Sequence, residues 1–194
     1  NLYITASIGV SLFPGDGEDT GTLLKNADVA MYRAKELGKN TYQFYSADMS
    51  ARAFERLSLE TSLRHALERN EFVLYYQPQI EVDGGEIIGV EALIRWRHPD
   101  FGLVAPAEFI PLLEETGLIL PVGEWVLQNA CGQLHAWHAD GWHKLRMAVN
   151  LSPRQVQAPG LAAMIARALE IFQGDPRRLE LEITESLLVK HVTG

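Results

Sequence analysis

The sequence has few features of a secreted, membrane-spanning or nucleic-acid-binding protein. It has one cysteine, Cys131, in 194 residues, which excludes an intrachain disulfide and suits a reducing compartment, so we expect a cytoplasmic location. Its apolar runs fall well short of the roughly 18 residues that would cross a bilayer, so no membrane segment is expected in this chain. Lys and Arg number 17 against 25 Asp and Glu, and the net charge of −8 disfavours binding to duplex nucleic acid.

The hydrophobic periodicity predicts an α/β protein in two parts. The sequence up to residue 45 predicts a strand, a helix and a second strand, in that order. We place a joint at residues 47–54, between a first domain, 1–46, and a second, 55–194. The joint contains neither Pro nor Gly, so it is expected to be helical. The chain begins and stops abruptly, so we expect a segment of a longer parent protein, and a membrane anchor elsewhere in that parent is left open.

The second part is expected to begin with a β-hairpin. Two strand-like runs, 71–82 and 86–96, are separated by DGG, which is typical of a hairpin turn, so the two strands are predicted to be antiparallel. The periodicity then predicts helices over 106–119 and 121–140, a strand over 145–152, a helix over 160–173 and a strand over 178–185. A strand, a helix and a strand in succession are typical of parallel βαβ units.

Polar side chains interrupt three of the predicted strands. Glu91, Asn150 and Glu182 each lie near the expected end of a strand, on the face opposite its apolar residues. Parallel α/β folds place their chemistry at the carboxyl ends of strands. Two carboxylates and an amide oxygen suit Mg²⁺ or Mn²⁺ and poorly suit Zn²⁺. The alternative is that these are ordinary solvated strand ends, which need no ligand.

A second possible metal site lies on one predicted helix. Cys131, His135 and His138 are spaced at i, i+4 and i+7, so they share a helix face and could bind zinc. A buried cysteine within an amphipathic helix is routine, and we prefer that interpretation.

Beyond these patterns, the order of several motifs resembles that of a known family. YYQPQI, GVEALIRWRHP, PAEFIPLLEETGLI, VNLSPRQ and LELEITES are similar to successive motifs of EAL domains, the cyclic di-GMP phosphodiesterases. The resemblance covers residues from about 55 to 194. Upstream, ASIGVSLFPGDG and NADVAMYRAKELGKNTYQFY resemble the C-terminal end of a GGDEF domain, the diguanylate cyclase module.

This resemblance implies a fold and a set of site residues. The fold would be part of a modified TIM barrel whose first strand is antiparallel, preceded by the strand-helix-strand end of a GGDEF domain. Glu91, Asn150 and Glu182 would be metal ligands for Mg²⁺ or Mn²⁺, with Glu91 and Glu182 catalytic. The other implied residues are Gln77, Leu93, Arg95 and Pro106 for substrate binding, Glu185 as the anchor of a neighbouring loop, and Lys35 and Lys39 as vestigial contacts to GTP phosphates. The two lysines also suit the end of a helix dipole.

The implied activity is metal-dependent hydrolysis of cyclic di-GMP to linear pGpG by the parent protein, which we expect to be a homodimer. Later motifs of the family, including paired aspartates, a lysine and a further glutamate, are not in this sequence, so we expect the 194-residue chain itself to be inactive. Two other readings stay open: a degenerate EAL domain that binds cyclic di-GMP without cleaving it, and a purely structural partner domain. The residues that follow Gly194 in the parent would discriminate the enzyme from the receptor.

Overall fold

A computed structural model of the chain describes residues 4–183. The structure divides into two compact units, Asn1–Thr61 and Ser62–Gly194. Among the described residues, no helix is both long enough and apolar enough to cross a membrane.

The first unit contains the predicted strand-helix-strand piece. Strand β1 (Ile8–Val10) lies parallel to β2 (Tyr42–Phe44), and helix α1 (Thr20–Glu36) connects them. Asp19 caps α1 by accepting a hydrogen bond from the backbone N–H of Thr22 at 2.9 Å. Gly9 permits close packing, because a Cβ there would lie 1.8 Å from the carbonyl oxygen of Ala27 in α1. The strand-helix-strand prediction is confirmed.

The next element is a single long helix, α2 (Ala47–Ala66). The predicted joint, residues 47–54, lies in its first half, and the division between the two units falls at Thr61 and Ser62 in its second half. Within the first unit, the Arg56 guanidinium of α2 donates to a Glu36 carboxylate oxygen at 3.1 Å.

The second unit is built on a mixed sheet. Strand β3 (Phe72–Ile80) forms an antiparallel hairpin with β4 (Ile87–His98), and the short β5 (Gly102–Val104) pairs with the end of β4. Strand β6 (Arg146–Leu151) is parallel to β4, and β7 (Leu179–Ile183) is parallel to β6, which gives the order β3-β4-β6-β7. The sheet therefore confirms a partial barrel with an antiparallel first strand.

Within residues 4–183, the sheet packs with four α-helices and one short 3₁₀ helix (Pro176–Arg178). The α-helices are α3 (Pro106–Thr116), α4 (Ile119–Ala139), α5 (Pro153–Gln157) and α6 (Leu161–Phe172). The core beneath the sheet contains buried aromatic rings. The Trp96 ring lies 5.9 Å from that of Phe109, and the Phe72 ring lies 5.9 Å from the same Phe109 ring. Because the apolar face of β4 packs into this core, the alternate side chains of the strand point to the other side of the sheet.

The sequence-based assignment missed three short elements: β5, α5 and the 3₁₀ helix Pro176–Arg178 before β7. Strand β5 has three residues and no alternation, and it exists as a strand because it pairs with β4. Helix α5 has five residues and was absorbed into the expected loop between β6 and α6, although its first residues carry a capping signal described below.

Candidate functional site

Glu91 and Asn150 are brought into direct contact by the pairing of β4 with β6. The Nδ2 group of Asn150 donates a hydrogen bond to Oε1 of Glu91 at 2.6 Å. The parallel ladder places Glu91 opposite Ala148, two residues before Asn150. The contact therefore follows from register, since side chains two residues apart on a strand share a face.

Glu182 joins this pair through the next strand. It lies opposite Asn150 in the parallel ladder between β6 and β7. Partial burial raises the pKa of Glu182, and the negative charges of Glu91 and Glu180 raise it further. Glu180 is paired with Arg146 at 2.6 Å. Crowding of carboxylates on one face is a feature that a bound cation would relieve.

Glu91 differs from the sequence-based expectation in its position along the strand. It was expected near the end of a strand, but β4 continues for seven residues beyond it to His98. The extension arises because β4 keeps pairing with β3 as far as Trp96 and then with β5, whereas its pairs with β6 run from Gly89 to Ala92. Glu91 is thus interior to β4 but near the carboxyl end of the part that pairs in parallel.

Three of the predicted substrate-binding side chains share the face of Glu91. Gln77 lies directly opposite Glu91 in the antiparallel hairpin, and Leu93 and Arg95 follow Glu91 at alternate positions of β4. Gln77 is exposed, and Leu93 and Arg95 are half-buried. The hairpin register therefore brings these residues to one surface.

The Arg95 guanidinium is oriented by its own surroundings. Its Cζ atom lies 5.7 Å from the centroid of the Tyr75 ring, and its Nη1 donates to the backbone carbonyl of Ile94 at 2.8 Å. Tyr75 lies opposite Leu93 on β3 and is 43% exposed. An exposed aromatic ring beneath a cation is a contact that sequence reasoning had not identified.

A cavity of about 470 Å³ adjoins this surface. Its lining includes Leu93, Arg95, Pro106 and Asn150, so the structure brings these four predicted site residues to one cavity. Pro106 begins α3, where its fixed backbone suits the first helical turn. Gly123, Ser152 and Gln155 also line the cavity. They were missed, although Ser152 followed three residues later by a glutamine is a readable capping signal.

The two predicted lysines are surface residues of the first unit. Lys35 and Lys39 belong to the first unit, where both are exposed at the C-terminal end of α1. Lys39 has a left-handed backbone conformation, with φ of 62°. Glu185 lies outside the described residues.

The histidines and cysteine of α4 have other partners. Nδ1 of His135 is hydrogen-bonded to the Phe172 carbonyl at 2.8 Å, and Nε2 of His138 to the Leu145 carbonyl at 3.0 Å. Burial raises the pKa of the Cys131 thiol to about 11. Cys131 is fully buried, and both imidazole rings are already hydrogen-bonded to backbone carbonyls, so the structure favours a packing role for Cys131.

Within residues 4–183, no three His, Cys, Asp or Glu side chains lie close enough together to hold a metal ion. A metal at the Glu91 edge of the sheet would therefore require the amide oxygen of Asn150 as a third ligand. That oxygen becomes available if the amide turns away from its contact with Glu91, and the two amide ends are nearly indistinguishable in shape.

Sequence comparison identifies both parts of the chain. Residues 60–193 match the EAL domain family, and residues 1–41 match the GGDEF domain of diguanylate cyclases. The chain is 48% identical over 189 residues to MucR of Pseudomonas aeruginosa, a bifunctional diguanylate cyclase/cyclic di-GMP phosphodiesterase. It is 41% identical over 191 residues to NbdA of the same organism, a cyclic di-GMP phosphodiesterase. These alignments cover 97% and 98% of the chain but 28% and 24% of the relatives, so the chain spans about a quarter of their length.

Solved structures agree with this assignment. A structure of PaMucR phosphodiesterase in complex with c-di-GMP superimposes with a TM-score of 0.67 at 45% identity, covering 70% of this chain and 55% of that one. The FimX EAL domain from Pseudomonas aeruginosa bound to c-di-GMP gives a TM-score of 0.60 at 30% identity, covering 71% of this chain and 53% of that one. The resemblance inferred from the motifs is confirmed.

Proposed function

The chain belongs to the EAL domain family and carries the end of a GGDEF domain in front of it, and from that membership we propose that its parent protein hydrolyses cyclic di-GMP to linear pGpG. The observation that carries the proposal is the convergence of Glu91, Asn150 and Glu182 from three adjacent strands. A receptor that binds the dinucleotide without cleaving it would not need this set of catalytic side chains, so their convergence favours the enzyme. We propose domain boundaries at residues 46 and 55, with the joint in α2.

The donor set fits a hard divalent cation. The three side chains offer carboxylate and amide oxygens, and partial burial together with the charge of Glu91 raises the pKa of Glu182 in the absence of a counterion. We propose that Glu91, Asn150 and Glu182 hold Mg²⁺ or Mn²⁺. When bound, the metal would supply Lewis acidity at the scissile phosphate and lower the pKa of a water.

The chain's own residues would bind and orient the dinucleotide. Arg95, already directed by the Tyr75 ring and the Ile94 carbonyl, is suited to a phosphate oxygen, because a guanidinium donates several hydrogen bonds in a fixed geometry. Gln77 would donate or accept through its exposed amide. Leu93 and Pro106 border the cavity and would exclude water from the apolar side of the ligand.

The remaining assignments rest on membership of the EAL family and on the GGDEF segment in front of it. Glu185 is proposed to anchor a loop near the site, and Lys35 and Lys39 to be remnants of a GTP-phosphate contact in the GGDEF part. A homodimer of the intact protein is proposed from the family resemblance.

The experiment uses the intact parent protein with cyclic di-GMP. Reaction products would be separated by chromatography after incubation with Mg²⁺ and, in parallel, with EDTA. We expect pGpG to be formed in the presence of Mg²⁺ and no pGpG to be formed in the presence of EDTA. Binding of cyclic di-GMP without cleavage would favour the receptor, and the absence of binding would favour a structural domain.

A further inference from the structure

The turn that follows β6 is held by the side chain of Gln155, a polar residue that is only 3% exposed. Its Oε1 accepts a hydrogen bond from the backbone N–H of Ser152 at 3.0 Å. In return, Oγ of Ser152 accepts one from the backbone N–H of Gln155 at 3.3 Å. This reciprocal capping box begins α5. Ser152 follows Asn150 by two residues, so the box fixes how the chain leaves β6 beyond that side chain.

Helix α4 makes room for Gln155 at Gly123. A Cβ atom at position 123 would lie 2.0 Å from Nε2 of Gln155, 2.7 Å from its Cδ and 3.3 Å from its Oε1. All three atoms belong to Gln155, and the first two distances are shorter than any tolerated contact. Glycine is a poor helix former, so its presence within α4 is explained by the space that Gln155 occupies.

The same turn is fastened to a second helix. The Arg154 guanidinium donates to the backbone carbonyls of Glu114 and Glu115, in the last turn of α3. The segment after Asn150 is therefore attached to α3 by Arg154 and packed against α4 by Gln155.

We propose that Gly123 and Gln155 are positioning residues that set the place of Asn150 at the end of β6 and, through it, the affinity of the site for its metal. The proposal rests on the proposed function, in which Asn150 is a ligand. Asn150 is exposed, so core packing does not fix its side chain, and its position depends on the backbone that carries it. One cavity is lined by Gly123, Asn150, Ser152 and Gln155. A shift of the Gln155 side chain would therefore change the shape of the cavity that Asn150 borders. Residues that support a metal ligand typically change metal affinity when they are replaced.

The test is a Mn²⁺ titration of the intact parent protein, followed by electron paramagnetic resonance of the free ion. Gly123→Ala adds one methyl group that displaces Gln155, and Gln155→Ala removes the capping side chain. Each variant is expected to bind Mn²⁺ about 10-fold more weakly than the wild type. The double variant Gly123→Ala/Gln155→Ala is expected to be no weaker than Gln155→Ala, because the methyl group then meets no side chain.

The matched control is Gly132→Ala on the same helix. A Cβ at position 132 would meet Cγ2 of Ile171 at 3.7 Å, an ordinary contact, so this variant should bind Mn²⁺ like the wild type. A thermal melt of each variant separates a loss of stability from a loss of affinity in the folded protein. If Gly123→Ala does not fold, Gln155→Ala decides the test, because it opens space instead of filling it.

Wild-type Mn²⁺ affinity in folded Gln155→Ala, or an equal loss in Gly132→Ala, would overturn the proposal. Hydrolysis of cyclic di-GMP by the wild type is measured alongside. If the wild type cleaves the dinucleotide and the variants bind Mn²⁺ as tightly as the wild type, the positioning role is refuted and the proposed function stands. A wild type that binds Mn²⁺ and does not cleave refutes the proposed function and leaves the comparison of variants valid.

Discussion

Asn150 and Glu91 are 59 residues apart in the chain and are joined by a hydrogen bond of 2.6 Å across two parallel strands. The same Asn150 stands opposite Glu182 in the next ladder, so one amide lies between two carboxylate-bearing strands. An arrangement of this kind is costly for an unliganded surface, because the carboxylates repel each other. It becomes favourable once a cation is shared among them.

Glu91→Gln should abolish hydrolysis of cyclic di-GMP by the intact protein while leaving it folded. The substitution keeps the size of the side chain and removes the charge that the proposed metal would require. Removing one member of a catalytic unit typically lowers the rate by orders of magnitude. Steady-state kinetics and a thermal melt would check both parts. Glu86→Gln, at the exposed hairpin turn, is the control, and a Glu91→Gln enzyme with near-wild-type turnover would refute the metal assignment.

Arg95→Ala should weaken binding of cyclic di-GMP more than Arg97→Ala. Arg95 is oriented beside the cavity, whereas Arg97 is exposed and lies opposite Leu103 of β5. A lost charge-assisted hydrogen bond corresponds to a reduction in affinity of about 10- to 100-fold. Isothermal titration of the intact protein in EDTA, where turnover is prevented, gives both affinities, and equal losses would contradict the ranking.

Tyr75→Leu should weaken binding of the dinucleotide by about 2- to 5-fold, because it removes the ring that lies under the Arg95 guanidinium. Tyr75→Phe keeps the ring and should bind like the wild type. The control is Tyr76→Phe, since that ring packs at 4.9 Å from Trp137 on the other face of β3. If Tyr75→Phe loses as much affinity as Tyr75→Leu, the hydroxyl group and not the ring is responsible.

Cys131 should resist alkylation by iodoacetamide in the folded protein and react after unfolding. The side chain is fully buried, and burial raises its pKa from the ordinary 9.0 to about 11, so it is almost entirely protonated in mildly alkaline solution. Because its pKa is higher in the folded state, its contribution to stability is complete below pH 9.0 and is lost as the pH rises towards 11. Rapid labelling of the native protein, followed by mass spectrometry, would contradict this account.

The 194-residue chain by itself should neither make nor cleave cyclic di-GMP. It spans 55% of the solved PaMucR phosphodiesterase chain, and catalytic groups that act together lose most of their effect when some are missing. Among the described residues, β7 lies at the edge of the sheet and its Ile183 is 47% exposed, so we expect this edge to associate with other chains. Light scattering should therefore find oligomers, and a monomer that converts cyclic di-GMP to pGpG would show that the site is complete within this chain.

The sequence predicted most of the elements, because their periodicity is strong and the DGG turn defines a hairpin. It could not predict how far β4 extends beyond Glu91, because that length depends on pairing with β3 and β5 and not on local composition. The short α5 was predictable in principle from its capping residues, Ser152 and Gln155.

For the candidate site as well, the sequence predicted some features and could not predict others. Residue types and alternation selected Glu91, Asn150 and Glu182, but only the register between strands shows that Asn150 contacts Glu91. The role of Gly123 had no sequence signal, because it depends on a side chain 32 positions later that packs against α4. Long-range packing of this kind appears only once the fold is formed.

The most direct test of the central claim is a crystal structure of the intact parent protein soaked with Mn²⁺, with anomalous scattering used to locate the ion. The account predicts an anomalous peak within coordination distance of oxygen atoms of Glu91, Asn150 and Glu182. A Mn²⁺ peak found only at another place would contradict it. So would the absence of a peak between these three side chains in crystals soaked to saturation with Mn²⁺.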